Sequence, residues 1–286
     1  MRERVAIALA GLVIVAGGRP DAAVADRSQP KPDVAGIQVA LAVKGLYHGP
    51  IDGIRGPLTT AALNALQRRY QLRSSDLADA STRSALGALG RPRYGTRVLR
   101  QGMVGLDVAA LQFELRYHGF PNPGRGVFGR KTLLALSRFQ RFAGLPPDGT
   151  AGRATYRALE KPPPTAPVLR TPLSAIERAT PVGAAVELSC PYAAPVAAGI
   201  AGTVAFSGNR SRGYGYTVIT RNAKGLEVVY AHLARIDVRK GQRVVPGALV
   251  GLAGWTGKQR PSTSLRLELR LRGAELDAFT ALHRRP

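Results

Sequence analysis

The sequence predicts a multi-domain protein: an N-terminal all-α half built of three-helix repeats, followed by a mainly β domain. Three observations predict it. The N-terminal half repeats itself, a proline-rich stretch then interrupts every periodic pattern, and beyond it short alternating runs replace helical stripes. With 286 residues, 45% of them hydrophobic, the chain has the length for two or three domains and the apolar content to give each a core.

From the N-terminus, Arg2 and Arg4 precede an apolar run from Val5 to Gly18, and Ala23-Val24-Ala25 offers a small-x-small cleavage pattern. Residues 1–25 therefore read as an export signal. The run spans 14 residues, short of the roughly 20 a bilayer-spanning helix needs; an uncut signal anchor is the alternative. Export places the chain in the cell wall or periplasm. Cys190 is the sole cysteine, so no intrachain disulfide can form, and it reads as a small buried apolar residue.

The formal charge is +23, and +22 without the leader, which holds three arginines and two acids. Such an excess attracts polyanions. Outside a cytoplasmic membrane these are anionic wall polymers, peptidoglycan carboxylates and lipid head groups, so nucleic acid is not an expected partner. The alternative is an arginine-rich composition with no basic site, since the positive residues are scattered.

The N-terminal half carries one pattern twice. Its first copy, within residues 33–88, contains Ile37-Gln38-x-x-Leu41, Gly45-Leu46-Tyr47 and Asp52-Gly53-Ile54-Arg55-Gly56-x-x-Thr59, ending on Leu66-Gln67. The second, within 102–160, contains Leu111-Gln112-x-x-Leu115, Gly119-Phe120 and Arg125-Gly126-Val127-Phe128-Gly129-x-x-Thr132, ending on Phe139-Gln140. Matching glutamines stand 29 and 28 residues apart. Each copy predicts helix, glycine turn, helix. The second continues through Asp148-Gly149 and Gly152-x-x-Thr155 into a short third helix; the first reads as degenerate there. Residues 161–181, with Lys161-Pro-Pro-Pro, Pro172 and Pro181, predict an extended linker. Strands follow at Thr203–Phe206, Tyr216–Thr220, Glu227–Tyr230 and Leu265–Leu271. In the last, Leu265, Leu267, Leu269 and Leu271 share one face, and Arg266, Glu268, Arg270 and Arg272 share the other.

On these residues both copies resemble the small three-helix peptidoglycan-binding domain, which implies peptidoglycan as partner. The second departs from the pattern at Arg125, where Asp is usual, and the first at Arg55, where Phe is usual. The Gln, Gly and Thr positions are expected to build the fold. Ligand contact is expected instead at Tyr47, His48, Asp52, Tyr70, Tyr117, His118 and Arg125, because sugars present both hydroxyls and flat apolar faces.

Residues 182–280 resemble the lysostaphin-type zinc endopeptidases of peptidoglycan, which implies an antiparallel β sandwich. The motifs are Pro195-Val196-x-Ala198-x-x-x-Gly202-x-Val204, Gly213-Tyr214-Gly215, Tyr230-Ala231-His232-Leu233, Gly251-x-x-Gly254-x-Thr256-Gly257 and Leu265-x-Leu267-Glu268-Leu269. The family's chemistry implies a zinc ion on three ligands with an open position for water. Here the H-x-x-x-D positions are Gly183 and Glu187, and the H-x-H positions are Ser264, the former catalytic histidine, and Arg266, a former ligand. Only His232 survives, as a vestigial catalytic histidine, so no metal and no cofactor are expected. Arg266 is expected to pair with Glu187 in place of the lost cation.

Three functions follow. The first is a wall binder whose peptidase-like domain is inactive and recognises peptide stems or a partner wall hydrolase. The alternatives are an active metalloendopeptidase using zinc on unusual ligands such as Glu187, His232 and Glu268, and a structural protein tethered to polyanions.

Overall fold

In the computed structural model, residues 30–75, 79–257 and 262–283 are described; the proposed signal lies outside them. The first repeat comprises α1 (Pro32–Val43), α2 (Pro57–Arg69) and α3 (Ala80–Ala85), the second α4 (Leu106–Tyr117), α5 (Arg130–Phe142) and α6 (Arg153–Leu159). Among the described residues no helix is long and apolar enough to cross a membrane.

The matched glutamines explain the repeat. Gln38 is fully buried: its Oε1 accepts from the Gly53 N–H (2.9 Å), while Nε2 donates to Ile54 O and Thr59 Oγ1 (both 3.1 Å). Gln112 does the same with the Gly126 N–H (2.8 Å), Val127 O (2.9 Å) and Thr132 Oγ1 (2.8 Å). Gln140 repeats it with the Gly149 N–H (3.0 Å), Thr150 O (2.9 Å) and Thr155 Oγ1 (3.4 Å). One neutral amide per helix thus satisfies the buried backbone of the turn and clamps the next helix to it. Gly53, Gly126 and Gly149 take φ of +71°, +75° and +72°, the left-handed region open to glycine.

Sequence reading leaves the third helix of the first repeat undefined, whereas the structure forms it. Asp79 caps it by accepting from the Thr82 N–H at 2.7 Å, and Gln67 reaches Thr82 Oγ1 at 3.2 Å. The capping signal was legible in Asp79-x-x-Thr82.

The two repeats pack through α1 and α4. Gly36 lies against Leu106 so closely that an added Cβ would stand 2.9 Å from its side chain and its carbonyl. Helix α4 is buried from Leu106 to Leu115, including Asp107, whose carboxylate accepts from Arg97 at 2.7 and 3.3 Å.

The proline-rich stretch is extended and laid on the β domain. Ala166, Leu169 and Leu173 join that domain's core, and the Ala197 N–H donates to Pro172 O at 2.7 Å. The β domain contains β1 (Arg178–Val182), β2 (Ala185–Ser189), β3 (Pro195–Ala197), β4 (Gly202–Arg210), β5 (Gly215–Arg221), β6 (Leu226–Ile236), β7 (Arg243–Val244), β8 (Leu249–Ala253), β9 (Ser264–Leu271), β10 (Ala274–Leu276) and the closing helix α7 (Ala278–His283). Every pairing is antiparallel. The order is β1-β2-β9-β6-β5-β4-β7, with β10 beside β9 and a β3–β8 ribbon joined to β6.

Strand β6 is the pivot. It pairs with β9 as far as Ala231↔Arg266, then with β8 from Leu233↔Ala253. Val228 and Tyr230 point into the main core with Leu265, Leu267 and Leu269, while Val229 and Ala231 lie on the opposite face with Phe206 and Tyr214. The alternation places Arg266, Glu268 and Arg270 on that second face, where the candidate site lies.

Candidate functional site

His232 occupies the residue at which β6 exchanges β9 for β8. Its φ is +65°, uncommon for a residue with a side chain. The kink turns the ring inward, 1% exposed, with Nδ1 2.8 Å from Thr256 O. A carbonyl only accepts, so Nδ1 carries the proton and Nε2 faces Glu187, 3.9 Å from Oε1.

Glu187 on β2 stands directly opposite Arg266 on β9 in the strand register. Cross-strand neighbours of opposite charge meet in that geometry. Arg266 Nη1 donates to Glu187 Oε1 at 3.1 Å, and Ser264 Oγ donates to Glu187 Oε2 at 3.2 Å. Arg266 Nε donates to Glu268 Oε1 at 2.7 Å, Tyr214 OH donates to the same oxygen at 2.9 Å, and Arg270 binds Glu268 Oε2. Burial opposes the ionised form of Glu268, but Arg266, Arg270 and Tyr214 outweigh it and hold the carboxyl below its usual range. Burial likewise opposes the charge on Arg266, and the two carboxylates raise its pKa in spite of it.

These residues do not fit a zinc ion. Gly183 brings no donor; it sits in the β1–β2 turn with φ +65°, a conformation that a ligating side chain would strain. Ser264 and Arg266 already occupy both oxygens of Glu187, and a guanidinium offers hydrogens where a metal requires lone pairs. Among the described residues no group of three His, Cys, Asp or Glu side chains is disposed to hold a metal. The arrangement can orient and neutralise charge.

The expected ligand residues of the repeats divide by burial. Tyr47 and His118, expected at the ligand surface, lie inside. The Tyr47 hydroxyl donates to Pro50 O at 2.7 Å, and His118 is held between Glu114 O and Lys161 O, both at 2.9 Å. Each is an aromatic body whose polar end is used by the fold. Asp52 also serves its turn, accepting from Gln38 Nε2 and the Ile54 N–H at 2.8 Å. His48, Tyr70, Tyr117 and Arg125 reach the surface. His48 borders a groove of about 320 Å³ with Leu46, Leu58, Ala61 and Ala65, while Tyr117 stacks on Phe113 at 6.0 Å.

Sequence reading assigns Tyr214 to the framework alone; the structure adds it to the site, with the Arg266 guanidinium 5.8 Å from its ring centre. It also overlooks Tyr192 and Trp255, an exposed aromatic pair with centres 5.1 Å apart, beside the Thr256 that holds His232. The lone tryptophan, next to a motif residue, was the available signal.

Residues 182–278 match the profile of peptidase family M23, and residues 30–86 and 104–159 each match that of a putative peptidoglycan binding domain. The chain carries two peptidoglycan-binding domains and an M23 domain. Among curated proteins it is similar to the lipoprotein NlpD/LppB homolog of Pseudomonas aeruginosa, 37% identical over 91 residues (32% of this chain, 30% of that protein). It is also similar to the spore cortex-lytic enzyme of Bacillus cereus, 44% identical over 69 residues (24% and 27%). A third is the DD-carboxypeptidase/endopeptidase Mpg of Neisseria meningitidis, 35% identical over 88 residues (31% and 20%). The chain thus spans less than a third of the length of these relatives. Among solved structures, a putative peptidase M23 from Pseudomonas aeruginosa matches with 26% identity and a TM-score of 0.36, over 40% of this chain and 53% of that one. The catalytic domain of lysostaphin from Staphylococcus simulans matches with 20% identity and a TM-score of 0.33, over 37% and 88%.

Proposed function

We propose that this protein is an exported wall protein that binds peptidoglycan through its repeats, and that its M23 domain has exchanged hydrolysis for recognition. The observation that carries the reading is the bridge Arg266 makes between Glu187 and Glu268, with Ser264 behind it, at the place read as the family's metal position. Hydrolysis in this family needs a Lewis acid to polarise the peptide carbonyl and ionise water. A guanidinium can balance the same carboxylates and hydrogen-bond a carbonyl, but it ionises no water. Gly183, Glu187, Ser264 and Arg266 are read as the former catalytic constellation, and His232 as its remnant.

The relatives' names, a lipoprotein and a cortex-lytic enzyme, support a place in the cell envelope and a role beside wall hydrolases. A partner hydrolase is part of the proposal. The test is co-sedimentation of the full chain with purified sacculi, with released peptides measured at added zinc and at added chelator. The chain is expected to sediment and to release nothing in either condition. Chelator-sensitive peptide release would overturn the inactive reading, and failure to sediment would overturn wall binding.

A further inference from the structure

The second repeat and the M23 domain meet where the Glu275 N–H donates to Gly119 O at 2.7 Å and Ala274 enters the repeat's own core. Beside that seam opens a cleft of about 780 Å³, within the range of roughly 300–1,000 Å³ usual for ligand sites. Six arginines line it: Arg138 and Arg141 from α5, Arg210 and Arg212 from the β4–β5 hairpin, and Arg270 and Arg272 from the end of β9. Of these, Arg270 alone is in an ion pair among the described residues, with Glu268.

The guanidinium of Arg210 lies over the Tyr214 ring, 4.8 Å from its centre, and its Nη1 is buried with no hydrogen-bond acceptor. Arg270 Nε is buried and unmatched in the same way. Buried charged donors without acceptors are costly, and an oxyanion entering the cleft would supply what they lack. Arginine forks match carboxylate and phosphate oxygens in pairs.

The lining decides between those two anions. Glu227 and Glu275 also face the cleft. Burial first, then the neighbouring Glu268, raises the pKa of Glu275 despite Arg270 and Arg138 nearby. A densely charged phosphodiester chain would meet repulsion at both acids. A peptide that alternates carboxylates with amide or ammonium N–H groups has a partner for every part of the wall.

We infer that this cleft binds the carboxylate-bearing peptide stem of peptidoglycan, with stem carboxylates on the arginines and N–H groups on Glu227 and Glu275, gripped jointly by the second repeat and the M23 domain. The inference rests on the wall-binding reading and gives it a site. Tyr214 belongs both to this cleft and to the Glu268 network, so an occupied cleft reports directly on the altered catalytic position.

The test uses the full chain and calorimetry with a soluble disaccharide–peptide carrying free stem carboxylates, the same compound with its carboxylates amidated, and a glycerol-phosphate polymer. Arg138→Glu with Arg212→Glu changes two exposed positions. It is expected to weaken the free-carboxylate compound about tenfold or more, and amidation is expected to do the same to the unaltered chain. Equal affinity in either comparison overturns the proposal, as does tighter binding of the phosphate polymer. If the unaltered chain sediments with sacculi yet ignores the soluble compound, the cleft fails and wall binding stands; if it does not sediment, wall binding itself fails.

Discussion

The helical half and the M23 domain solve one problem, a polar group inside a fold, in opposite ways. In the repeats the amides of Gln38, Gln112 and Gln140 each serve backbone groups of a turn and one threonine, joined by Asp52 at the first and Asp148 at the third. In the M23 domain the face of β9 opposite the main core holds full charges, Arg266, Glu268 and Arg270, locked to Glu187 and Tyr214. Neutral amides that satisfy their own turn make a motif of folding; the charges on β9 pair with one another and with Glu187, and under the proposed reading they stand in for the family's metal chemistry while the framework stays. A repeated polar residue is therefore weak evidence of binding.

Removing one member from each network tests that contrast most severely. Arg266→Ala leaves Glu187 and Glu268 with less compensation in a largely buried setting, and is expected to cost about 3 kcal/mol in denaturant unfolding. Arg266→Met combined with Glu187→Gln removes charge from both sides and is expected to recover most of the loss. Gln112→Ala, by comparison, orphans the Gly126 N–H and Val127 O and is expected to cost about 2 kcal/mol, with no rescue by a second apolar change. A loss of under about 1 kcal/mol for Arg266→Ala would mean that water already satisfies the carboxylates.

Glu114 breaks the pattern on the helical side, because it is an acid buried on α4 beside His118, 3.7 Å from its Nδ1. Burial raises its pKa from 4.5 to about 7. The folded state then binds more protons than the unfolded one, so this group's favourable contribution is fully present below pH 4.5 and is lost as pH rises towards about 7. Its size is about 2 kcal/mol once solvent screening is allowed for. Glu114→Gln is expected to flatten the pH dependence of stability across that window; an unchanged slope would place the titration elsewhere.

Much of this was legible in the sequence. The repeat, the change of period after the prolines and the alternation of β9 follow from side-chain spacing, which the backbone geometry of helices and strands imposes directly. What was not legible depends on contacts between distant segments. Nothing local tells that Tyr47 and His118 turn inward, or that Ala166, Leu169 and Leu173 of the proline-rich stretch complete a core that extends to the distant strands holding Leu269 and Leu276. The arginine cleft joins α5 to the β4–β5 hairpin and β9, so no window of sequence contains it.

The smallest expected effect sharpens the comparison within the repeats. In two of the turns built on Gln38, Gln112 and Gln140 an aspartate completes the network: Asp52 accepts from Gln38 at 2.8 Å, and Asp148 accepts from Gln140 at 2.7 Å. Each also accepts from the backbone N–H two residues on, at 2.8 and 2.9 Å. The second repeat has the exposed Arg125 at that place, and Gln112 Nε2 donates to Val127 O and Thr132 Oγ1 with no aspartate beside them. If the turn is only a structural device, Arg125→Asp supplies the missing acceptor and is expected to stabilise the chain by about 1 kcal/mol, seen as a higher melting temperature. If melting rises while sedimentation with sacculi falls, Arg125 gave up stability for contact with the wall; if neither moves, Gln112 had no need of the acceptor and the equivalence of the three turns fails.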